Sequence, residues 1–473
     1  MGNGINDRFD FTLVLPRLQD IRAVHLIAVG GSGMSGVAAL FLASGVRVSG
    51  SDRAEGPALA RLRDAGAHIM VGQQAANVAN LDAATVIVVS SAIAESNPEL
   101  IAARDRGMVV LHRSQALAVL SRGDEVLAVA GANGKTTTSA MAVVALRDAG
   151  ARPSFAIGAD IVDIGSNSAI GTGSSFVIEA DESDGSFVVY RPDIAIVTNV
   201  RDDHLDFYGD SARLHAAYDD FVSSIGPDGL LVACADDDGS ARLAQRHGGA
   251  IRVLTYGRSR DSDLVLGDTR RGETSWAAPL RFPCGQQSEL TLEVAGEHNL
   301  LNAAGVALAL SEGLGLAPEH VVHGLSRFRG TARRFEYRGT AAGVRVVDDY
   351  AHNPDKLAAV IRTGLALRGQ GRLIVLFQPH LYSRTVAFAA QFSAALRLAD
   401  LVFVMDVFAA REDPLPGVSG ELLSRPVPGA QFVPTSAAAV EAVVLAARDG
   451  DLVLTVGAGD VTKLGPLILN GLG

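Results

Sequence analysis

Cysteine is nearly absent from this sequence, which excludes a fold held together by disulfide bonds. The 473 residues include only Cys234 and Cys284, and these two lack the spacing of a zinc knuckle. Free thiols are typical of proteins that work in a reducing compartment. We therefore expect a cytoplasmic protein without disulfides.

The sequence also lacks an excess of positive charge and a long apolar segment. Lys and Arg total 41 against 52 Asp and Glu, so the formal net charge of −11 argues against a basic surface for nucleic acid or membranes. No uninterrupted apolar run reaches the length of about 18 residues that a membrane-spanning helix needs. The N-terminal segment has no basic stretch before its short apolar run, so we expect no targeting signal.

The sequence does contain enough apolar material for several domains. Hydrophobic residues make up 48% of the chain, and because single cores stop growing at roughly 250–300 residues, about three domains are expected. Short apolar strands alternate with helical patterns, which predicts an α/β fold with parallel sheets. A polar, glycine-rich stretch over 255–296 predicts irregular or meandering β structure. We place the domains at residues 1–122, 123–331 and 332–473, where the pattern breaks and restarts.

The first chemical motif is a glycine-rich turn between a predicted strand and a predicted helix. It runs Gly-Ser-Gly-Met-Ser-Gly from Gly31 to Gly36, and Asp52 ends the next strand. Glycines let backbone N–H groups approach a pyrophosphate, the helix N-terminus attracts an anion, and an aspartate can accept a ribose hydroxyl. The motif predicts a dinucleotide site, although a tight strand-to-helix turn without a ligand would use the same residues.

A second glycine-rich loop runs Gly-Ala-Asn-Gly-Lys-Thr-Thr-Thr from Gly131 to Thr138. Its glycines can cradle phosphate oxygens, Lys135 can place a positive charge on the β- and γ-phosphates, and a threonine hydroxyl can bind Mg²⁺. Val129 stands where the usual pattern has its first glycine, so the loop is a shortened variant. An ordinary structural turn is the alternative, but Gly-Lys-Thr-Thr-Thr at this junction favours phosphate binding.

Acidic clusters follow two buried strands in the same predicted domain. One runs from Glu179 to Asp184, and the other runs from Asn199 to His204. Mg²⁺ at a phosphate loop needs carboxylate ligands, but acidic clusters also mark solvated loops. The residues alone favour neither a metal site nor solvated loops. His204 by itself is weak evidence for a metal, because a lone histidine is more often structural than a ligand.

Two further segments in the last predicted domain combine carboxylate, imidazole and guanidinium groups. They run from Asp348 to Pro354 and from Phe377 to Thr385. This combination suits a ligand that carries both an ammonium and a carboxylate group, such as an amino acid. Asn-Pro is also an ordinary turn and Arg384 could be a surface charge, so both interpretations stay open.

Taken in order, these motifs resemble those of the Mur ligases. The chain contains GGSGMSG, SSAI, GKTTT, EADESDGSF, DHLDFYG, GEHNLLNA, RRFE, DDYAH, FQPHLYSRT and AREDP, and the match runs from about Val24 to Gly465. The resemblance implies a Rossmann-like UDP-binding domain, a central ATPase domain and a Rossmann-like C-terminal domain. It also implies an ATP-dependent amide ligase whose substrates are UDP-N-acetylmuramate and L-alanine.

The resemblance implies roles for individual residues. Those implied to hold the UDP part of the sugar nucleotide are Gly31, Ser32, Gly33, Met34, Ser35, Asp52 and Ser91. Those implied to bind ATP are Gly131, Asn133, Gly134, Lys135, Thr136, Thr137, Asn299, Asn302, Arg333 and Asp349, with the two asparagines 299 and 302 beside the adenine.

The resemblance extends to the metal and to the amino acid. The resemblance implies that Thr136 binds one Mg²⁺, and that Glu179 and His204 bind the metal between the γ-phosphate and the substrate carboxylate. The residues implied to face the amino acid are Asp349, Tyr350, His352, His380 and Arg384. Catalytic roles are implied for Lys135, Glu179, His204, His352, His380 and Arg384.

This chain departs from the family pattern at three places. Ala132-Asn133 stands where the family usually has Thr-His, Arg201 replaces a glutamate, and Asn353 replaces a histidine. A ligase of the same fold with a different amine substrate is therefore an alternative. A dehydrogenase would leave the phosphate loop unexplained, and a non-catalytic UDP-sugar sensor would leave Lys135 unexplained.

Arg201 is the departure with the clearest electrostatic consequence. A guanidinium about 6 Å from Mg²⁺, at an effective dielectric of about 20, would be repelled by roughly 3 kcal/mol for each unit charge on the metal. We therefore expect the side chain to point outward, to solvent or to a carboxylate such as Asp202 or Asp206.

Overall fold

The structure, a computed structural model, describes residues 6, 8–272, 275–410 and 412–473, apart from the side chain of Asp206. The chain divides into two compact units, one that ends at Gly330 and one that runs from Thr331 to Gly473. In the described residues, the first unit contains two β-sheets with their helices, and the second unit contains a third.

The first sheet is parallel, and its strands alternate with helices along the chain. Its strands are β1 Ala23–Ile27, β2 Arg47–Asp52, β3 His68–Val71, β4 Val86–Val89 and β5 Val110–His112. Its helices are α1 Ser32–Ala43, α2 Pro57–Asp64, α3 Ala76–Ala79, α4 Pro98–Asp105 and α5 Arg113–Leu120. The order β3-β2-β1-β4-β5 puts the topological switch between β1 and β4. Ligands bind such sheets at the carboxyl ends beside the switch, where the glycine-rich turn after β1 lies.

Local capping explains where two of these helices begin. Asn97 caps α4 by accepting hydrogen bonds from the N–H groups of Glu99 and Leu100. At α5, the side chains of His112 and Gln115 form a reciprocal capping box. The cap fixes the His112 ring at the carboxyl end of β5.

The second sheet has a parallel centre and an antiparallel edge. Its strands are β6 Glu125–Ala130, β7 Ser154–Ile161, β8 Ser166–Ala169, β9 Ser175–Glu179, β10 Ile194–Val197, β11 Leu230–Cys234, β12 Arg252–Gly257, β13 Leu264–Leu266, β14 Arg270–Arg271, β15 Trp276–Arg281 and β16 Gln287–Leu292. Their order is β14-β15-β13-β12-β11-β10-β6-β9-β7-β8, and β16 pairs with β15. The antiparallel pairs around β15 confirm the predicted meander.

The helices of this sheet place the phosphate loop on a rigid support. They are α6 Lys135–Asp148, α7 Leu205–Tyr208, α8 Ser211–Ser223, α9 Asp238–His247, α10 Glu297–Gly313 and α11 Pro318–Ser326. Helices α6 and α10 are buried along most of their length, which is typical of helices that are apolar on every face. The first turn of α6, directly after the loop, is therefore held by the core.

The second unit is built on a sheet that is parallel except at one edge. Its strands are β17 Glu336–Ala341, β18 Val344–Asp349, β19 Leu373–Phe377, β20 Leu401–Val404, β21 Gln431–Phe432 and β22 Leu452–Val456, in the order β17-β18-β22-β19-β20-β21. Its helices are α12 Pro354–Leu367, α13 Tyr382–Ala387, α14 Ala389–Leu396, α15 Glu421–Ser424, α16 Ser436–Ala446 and α17 Leu464–Leu472. The predicted amino-acid segments follow β18 and β19, so they lie at one carboxyl edge with β22 between them.

The expected absence of disulfides is confirmed, because Cys234 is a free buried thiol and Cys284 a free exposed one. Among the described residues, no helix combines the length and the apolar character needed to cross a bilayer.

Candidate active site

The second glycine-rich loop joins β6 to α6 and is clasped by its neighbours. Gly131 has a φ of +139°, and a Cβ there would lie 2.1 Å from the Thr198 hydroxyl oxygen. Gly134 has a φ of +88°, and a Cβ there would lie 2.9 Å from Oδ1 of Asn302. The Asn133 N–H donates a hydrogen bond to Oδ1 of Asn199 (2.9 Å). Only glycine fits these two positions, so the tight loop has backbone conformations that phosphate loops need.

Lys135 lies at the start of α6 and is paired with a buried carboxylate. Its Nζ donates to the Gly131 carbonyl oxygen (2.7 Å) and to Oε2 of Glu182 (2.6 Å). The side chain of Glu182 is 1% exposed and that of Lys135 is 12% exposed. Burial favours the neutral amine, but the carboxylates of Glu182 and Asp181 outweigh it and raise the pKa of Lys135. The lysine therefore stays protonated, and positively charged, at the phosphate loop.

The structure brings two of the implied metal ligands together. Thr136 Oγ1 donates to Oε1 of Glu179 (2.9 Å), and the Gly158 N–H donates to Oε2 of the same carboxylate (2.6 Å). Glu179 ends β9, the strand beside β6, so the sheet register sets this contact. A hydroxyl and a carboxylate at this edge are oxygen ligands that suit Mg²⁺.

His204 lies beside a different carboxylate from the one expected. Its Nε2 is 3.8 Å from Oε1 of Glu182 and 3.9 Å from Oδ2 of Asp203. Ligand atoms of Asp181, Glu182 and His204 all lie within 4.8 Å of one another. Asp181 and Glu182 were not among the predicted site residues, although the run Glu-Ala-Asp-Glu-Ser-Asp at a strand end was the signal for them.

Arg201 points away from this cluster, as the electrostatic argument predicts. Its side chain is 65% exposed, and Nε donates to Oδ2 of Asp237 (3.0 Å). The outward orientation towards solvent and a carboxylate is confirmed, and the carboxylate is that of Asp237; Asp202, given as an example, accepts a hydrogen bond from Ser211. The other suggested partner, Asp206, has its side chain outside the described residues.

Substituting Arg201 with glutamate is expected to change Mg²⁺ affinity less than about tenfold, because the guanidinium faces solvent and Asp237. The Mg²⁺ concentration for half-maximal phosphate release measures the effect. Arg242→Glu, a charge reversal at an exposed position of α9, is the control. A hundredfold tightening with Arg201→Glu alone would mean that the arginine weakens the metal site.

The glycine-rich turn of the first sheet meets residues of the second sheet. Oδ2 of Asp52 accepts from the Gly30 N–H (2.8 Å). A Cβ at Gly33 would lie 2.2 Å from a terminal nitrogen of Arg113, so the guanidinium lies directly on the turn. Arg113 also lies 3.8 Å from the Asp181 carboxylate. Sequence reasoning missed Arg113, which brings a positive charge to the predicted pyrophosphate turn.

Ser91, implied as a UDP contact, belongs to a buried polar network. Its Oγ donates to Oδ2 of Asp184 and lies 3.1 Å from Nε2 of His112. Burial alone would raise the pKa of Asp184, but hydrogen bonds from His112, Ser186 and Ser91 hold that pKa well below its usual range. Residues of both sheets in the first unit therefore share this network.

The two asparagines expected beside the adenine lie on the first turns of α10. Nδ2 of Asn299 donates to the Ala295 carbonyl oxygen (2.7 Å), and Nδ2 of Asn302 donates to Oδ1 of Asn299 (3.3 Å). Both side chains are largely buried. Asn302 also touches the position where a Cβ at Gly134 would lie, so this helix start and the phosphate loop are adjacent.

In the second unit, Asp349 and Arg333 make local structural contacts. Both carboxylate oxygens of Asp349 accept backbone N–H groups, from Phe335 and Ala351 (2.8 Å each). The Arg333 guanidinium carbon lies 4.7 Å from the centre of the Tyr350 ring, and Nη2 donates to the Gly457 carbonyl oxygen (2.6 Å). These contacts hold the loop after β18.

The two predicted histidines of the second unit lie near each other. Their ring centres are 6.0 Å apart, and Nδ1 of His352 donates to the Tyr350 carbonyl oxygen (2.9 Å). Burial, with a smaller contribution from the positive charge of Arg384, lowers the pKa of His352 to about 3. His352 is therefore neutral at physiological pH, and Arg384 lies within electrostatic range of it.

This burial makes the second unit sensitive to acid. The ordinary pKa of 6.5 applies to His352 in the unfolded chain, which therefore binds a proton more readily than the folded chain does. The free energy of opening β18 and β22 should fall by about 2 kcal/mol between pH 7.5 and 5. Hydrogen exchange of these strands measures it, and His352→Gln should remove the loss whereas exposed His320→Gln should not. An equal acid loss with His352→Gln would assign it to other groups.

Comparisons with known proteins cover nearly the whole chain. The descriptions "Mur ligase family, catalytic domain", "Mur ligase middle domain" and "Mur ligase, glutamate ligase domain" match residues 23–125, 129–310 and 333–459. The UDP-N-acetylmuramate–L-alanine ligase of Kineococcus radiotolerans is 51% identical over 94% of this chain and 95% of its own. The enzyme of that name from Renibacterium salmoninarum is 48% identical over 96% and 97%.

Solved structures give the same result for the fold. UDP-N-acetylmuramate-alanine ligase from Thermotoga maritima aligns with a TM-score of 0.79 at 29% identity, over 95% of this chain and 98% of that one. A murein peptide ligase from Psychrobacter arcticus aligns with a TM-score of 0.73 at 22% identity, over 96% and 99%, and supports the fold alone. The expected three-domain α/β organisation is confirmed.

Proposed function

This chain belongs to the Mur ligase family, and from that premise we propose that it joins L-alanine to the lactyl carboxylate of UDP-N-acetylmuramate, with ATP converted to ADP and phosphate. The product is a peptidoglycan precursor. The observation that carries the proposal is the position of Lys135, a largely buried cation on the glycine-rich loop. The chain is also similar over nearly its whole length to ligases of this specificity. Because ATP is the co-substrate, we place the reaction in the cytoplasm.

The first step activates the substrate carboxylate. A lactyl oxygen attacks the γ-phosphorus of ATP, the bond to the β–γ bridging oxygen breaks, and ADP leaves an acyl phosphate behind. Two anions must meet in this step, so a cation that neutralises charge and fixes the phosphate is the main requirement. Lys135 meets it, with the N–H groups around Gly131 and Gly134 as further donors to phosphate oxygens.

The second step forms the amide. The neutral amine of L-alanine attacks the acyl carbon, the bond to the phosphate oxygen breaks, and inorganic phosphate leaves while the nitrogen loses a proton. We propose that Asp349, Tyr350, His352, His380 and Arg384 bind the amino acid. His352, with its pKa lowered to about 3, is an uncharged hydrogen-bonding group there, which leaves His380 or a carboxylate as the proton acceptor.

Mg²⁺ fits the oxygen atoms at the phosphate loop. Among the described residues, Oε1 of Glu182 is buried without a hydrogen-bond partner, and an unpaired carboxylate oxygen beside His204 suits a cation. We propose that Thr136 holds one Mg²⁺ and that Glu179 and His204 hold a second one, near this oxygen of Glu182. The metal would supply charge neutralisation at the phosphates.

The remaining assignments follow the family. We propose that the UDP group is held by Gly31, Ser32, Gly33, Met34, Ser35, Asp52 and Ser91. We propose that ATP contacts Gly131, Asn133, Gly134, Lys135, Thr136, Thr137, Asn299, Asn302, Arg333 and Asp349. The proposed domains are residues 1–122 for UDP, 123–331 for ATP and 332–473 for the amino acid.

Phosphate release from ATP tests the function directly. With UDP-N-acetylmuramate and a panel of amino acids, we expect turnover with L-alanine, and UDP-N-acetylmuramate should raise the melting temperature whereas NAD should not. Turnover only with a peptide would identify a ligase with a different amine substrate. Stabilisation by NAD instead would support a dehydrogenase.

A further inference from the structure

One buried charge pair at the phosphate loop is not explained by the reaction above. Oε2 of Glu182 accepts a hydrogen bond from Nζ of Lys135 (2.6 Å). The carboxylate is therefore paired with the same ammonium group that would bind phosphate. The proposed chemistry needs the lysine cation and can use Oε1 of Glu182 near Mg²⁺, but it gives no role to Oε2, the oxygen that pairs with Lys135. The negative charge of the Glu182 carboxylate would repel the triphosphate of ATP. The presence of this carboxylate beside the lysine therefore needs an explanation.

The glutamate is the fixed partner of the pair, and the lysine is the partner that can move. The backbone carbonyl oxygen of Glu182 accepts a hydrogen bond from the hydroxyl of Tyr208, which is itself buried. The Glu182 side chain is 1% exposed. Lys135 has a flexible four-carbon stem, and its side chain is more exposed, at 12%. Glu182 therefore sets where the ammonium group rests.

The second carboxylate oxygen of Glu182, Oε1, indicates that this residue does more than stabilise the fold. Oε1 is buried and has no hydrogen-bond partner in the part of the chain that the structure describes, and Nε2 of His204 lies 3.8 Å from it. Buried carboxylate oxygens normally have hydrogen-bond partners, and both oxygens of Glu179 have them, from Thr136 and Gly158. Among the side chains of the described residues, Lys135 is the hydrogen-bond donor to Glu182.

We propose that Glu182 is a positioning residue for Lys135, which holds the ammonium group at the loop before nucleotide binds and competes with the terminal phosphate for it. This inference rests on the proposed function only in that the loop binds ATP. The competition weakens ATP binding, and the orientation speeds phosphoryl transfer. Removal of the carboxylate charge should therefore move these two properties in opposite directions.

Glu182→Gln tests this with two measurements on the full chain. The Kd of a non-hydrolysable ATP analogue with Mg²⁺, measured by calorimetry, is expected to fall about 3- to 10-fold. The kcat for phosphate release with UDP-N-acetylmuramate and L-alanine is expected to fall about 10-fold or more. General damage to the fold would weaken binding and rate together, so the opposite signs are specific to positioning.

Two further variants complete the test. Glu182→Asp keeps the charge on a shorter stem, so Kd should return to within about twofold of wild type while kcat recovers in part. Glu312→Gln is the matched control, because Glu312 forms a carboxylate–guanidinium pair of the same length, 2.6 Å, with Arg252 on the surface. Both properties should stay unchanged in that control.

The proposal is overturned if Glu182→Gln leaves Kd and kcat within about twofold of wild type, or weakens both. If Glu182→Gln does not fold, Glu182→Asp decides, and a wild-type kcat in that variant overturns the proposal. Analogue binding without turnover in the wild-type chain would reject the proposed function alone, since the Kd comparison would still stand. A wild-type chain that binds no nucleotide would reject both.

Discussion

Replacement of Lys135 with alanine is expected to lower kcat by about 10² or more, because the substrate carboxylate and the γ-phosphoryl group would meet without their neutralising cation. The structure supports a large effect, since Nζ lies at the loop itself, 2.7 Å from the Gly131 carbonyl oxygen. Low-dielectric surroundings strengthen the interaction of such a charge with phosphate. Phosphate release at saturating ATP and Mg²⁺ measures the loss.

The fold of this variant has to be checked separately. Loss of the lysine leaves Glu182 buried without its counter-ion, and breaking a buried pair costs about 3–5 kcal/mol. The double variant Lys135→Met with Glu182→Gln removes both charges and should recover stability but not kcat. Lys463→Ala, at an exposed lysine of the second unit, is the control. A near-normal rate in a folded Lys135→Ala enzyme would remove the phosphate-loop assignment.

Much of the fold could be predicted because its strands are buried on both faces. Runs such as β4 and β19 are apolar throughout, and turn residues or polar motifs mark their ends. Strands such as β3 and β8 are short and half-exposed, so no apolar run in the sequence marks them. These strands exist because a neighbouring strand offers backbone hydrogen bonds, which no local pattern records.

The site could be predicted where its functional side chains lie at the carboxyl ends of strands. Lys135, Thr136 and Glu179 lie together because β6 and β9 are adjacent parallel strands. Partners from distant segments could not be predicted in the same way. Arg113 reaches the glycine turn from another helix, and Arg201 pairs with a carboxylate 36 positions along the chain, so three-dimensional distance decides both.

The metal assignment gives the second large effect. Glu179→Ala is expected to raise the Mg²⁺ concentration for half-maximal activity about 10- to 100-fold, because it removes an anionic oxygen ligand. His204→Ala should raise it too, since it removes the imidazole beside the unpaired oxygen of Glu182. Titration of phosphate release with Mg²⁺ at fixed ATP measures both.

Two comparisons separate a metal ligand from a structural carboxylate. Glu179 also accepts hydrogen bonds from Thr136 and Gly158, so its removal could disturb the loop without any metal. Glu179→Gln keeps an acceptor for Thr136 but loses the charge, and the Mg²⁺ requirement should rise nearly as much as with alanine. Glu312→Ala, which breaks a surface pair, should change nothing. An unchanged Mg²⁺ dependence in the variants of both Glu179 and His204 would make these residues structural and place the metal elsewhere among the oxygens at the loop.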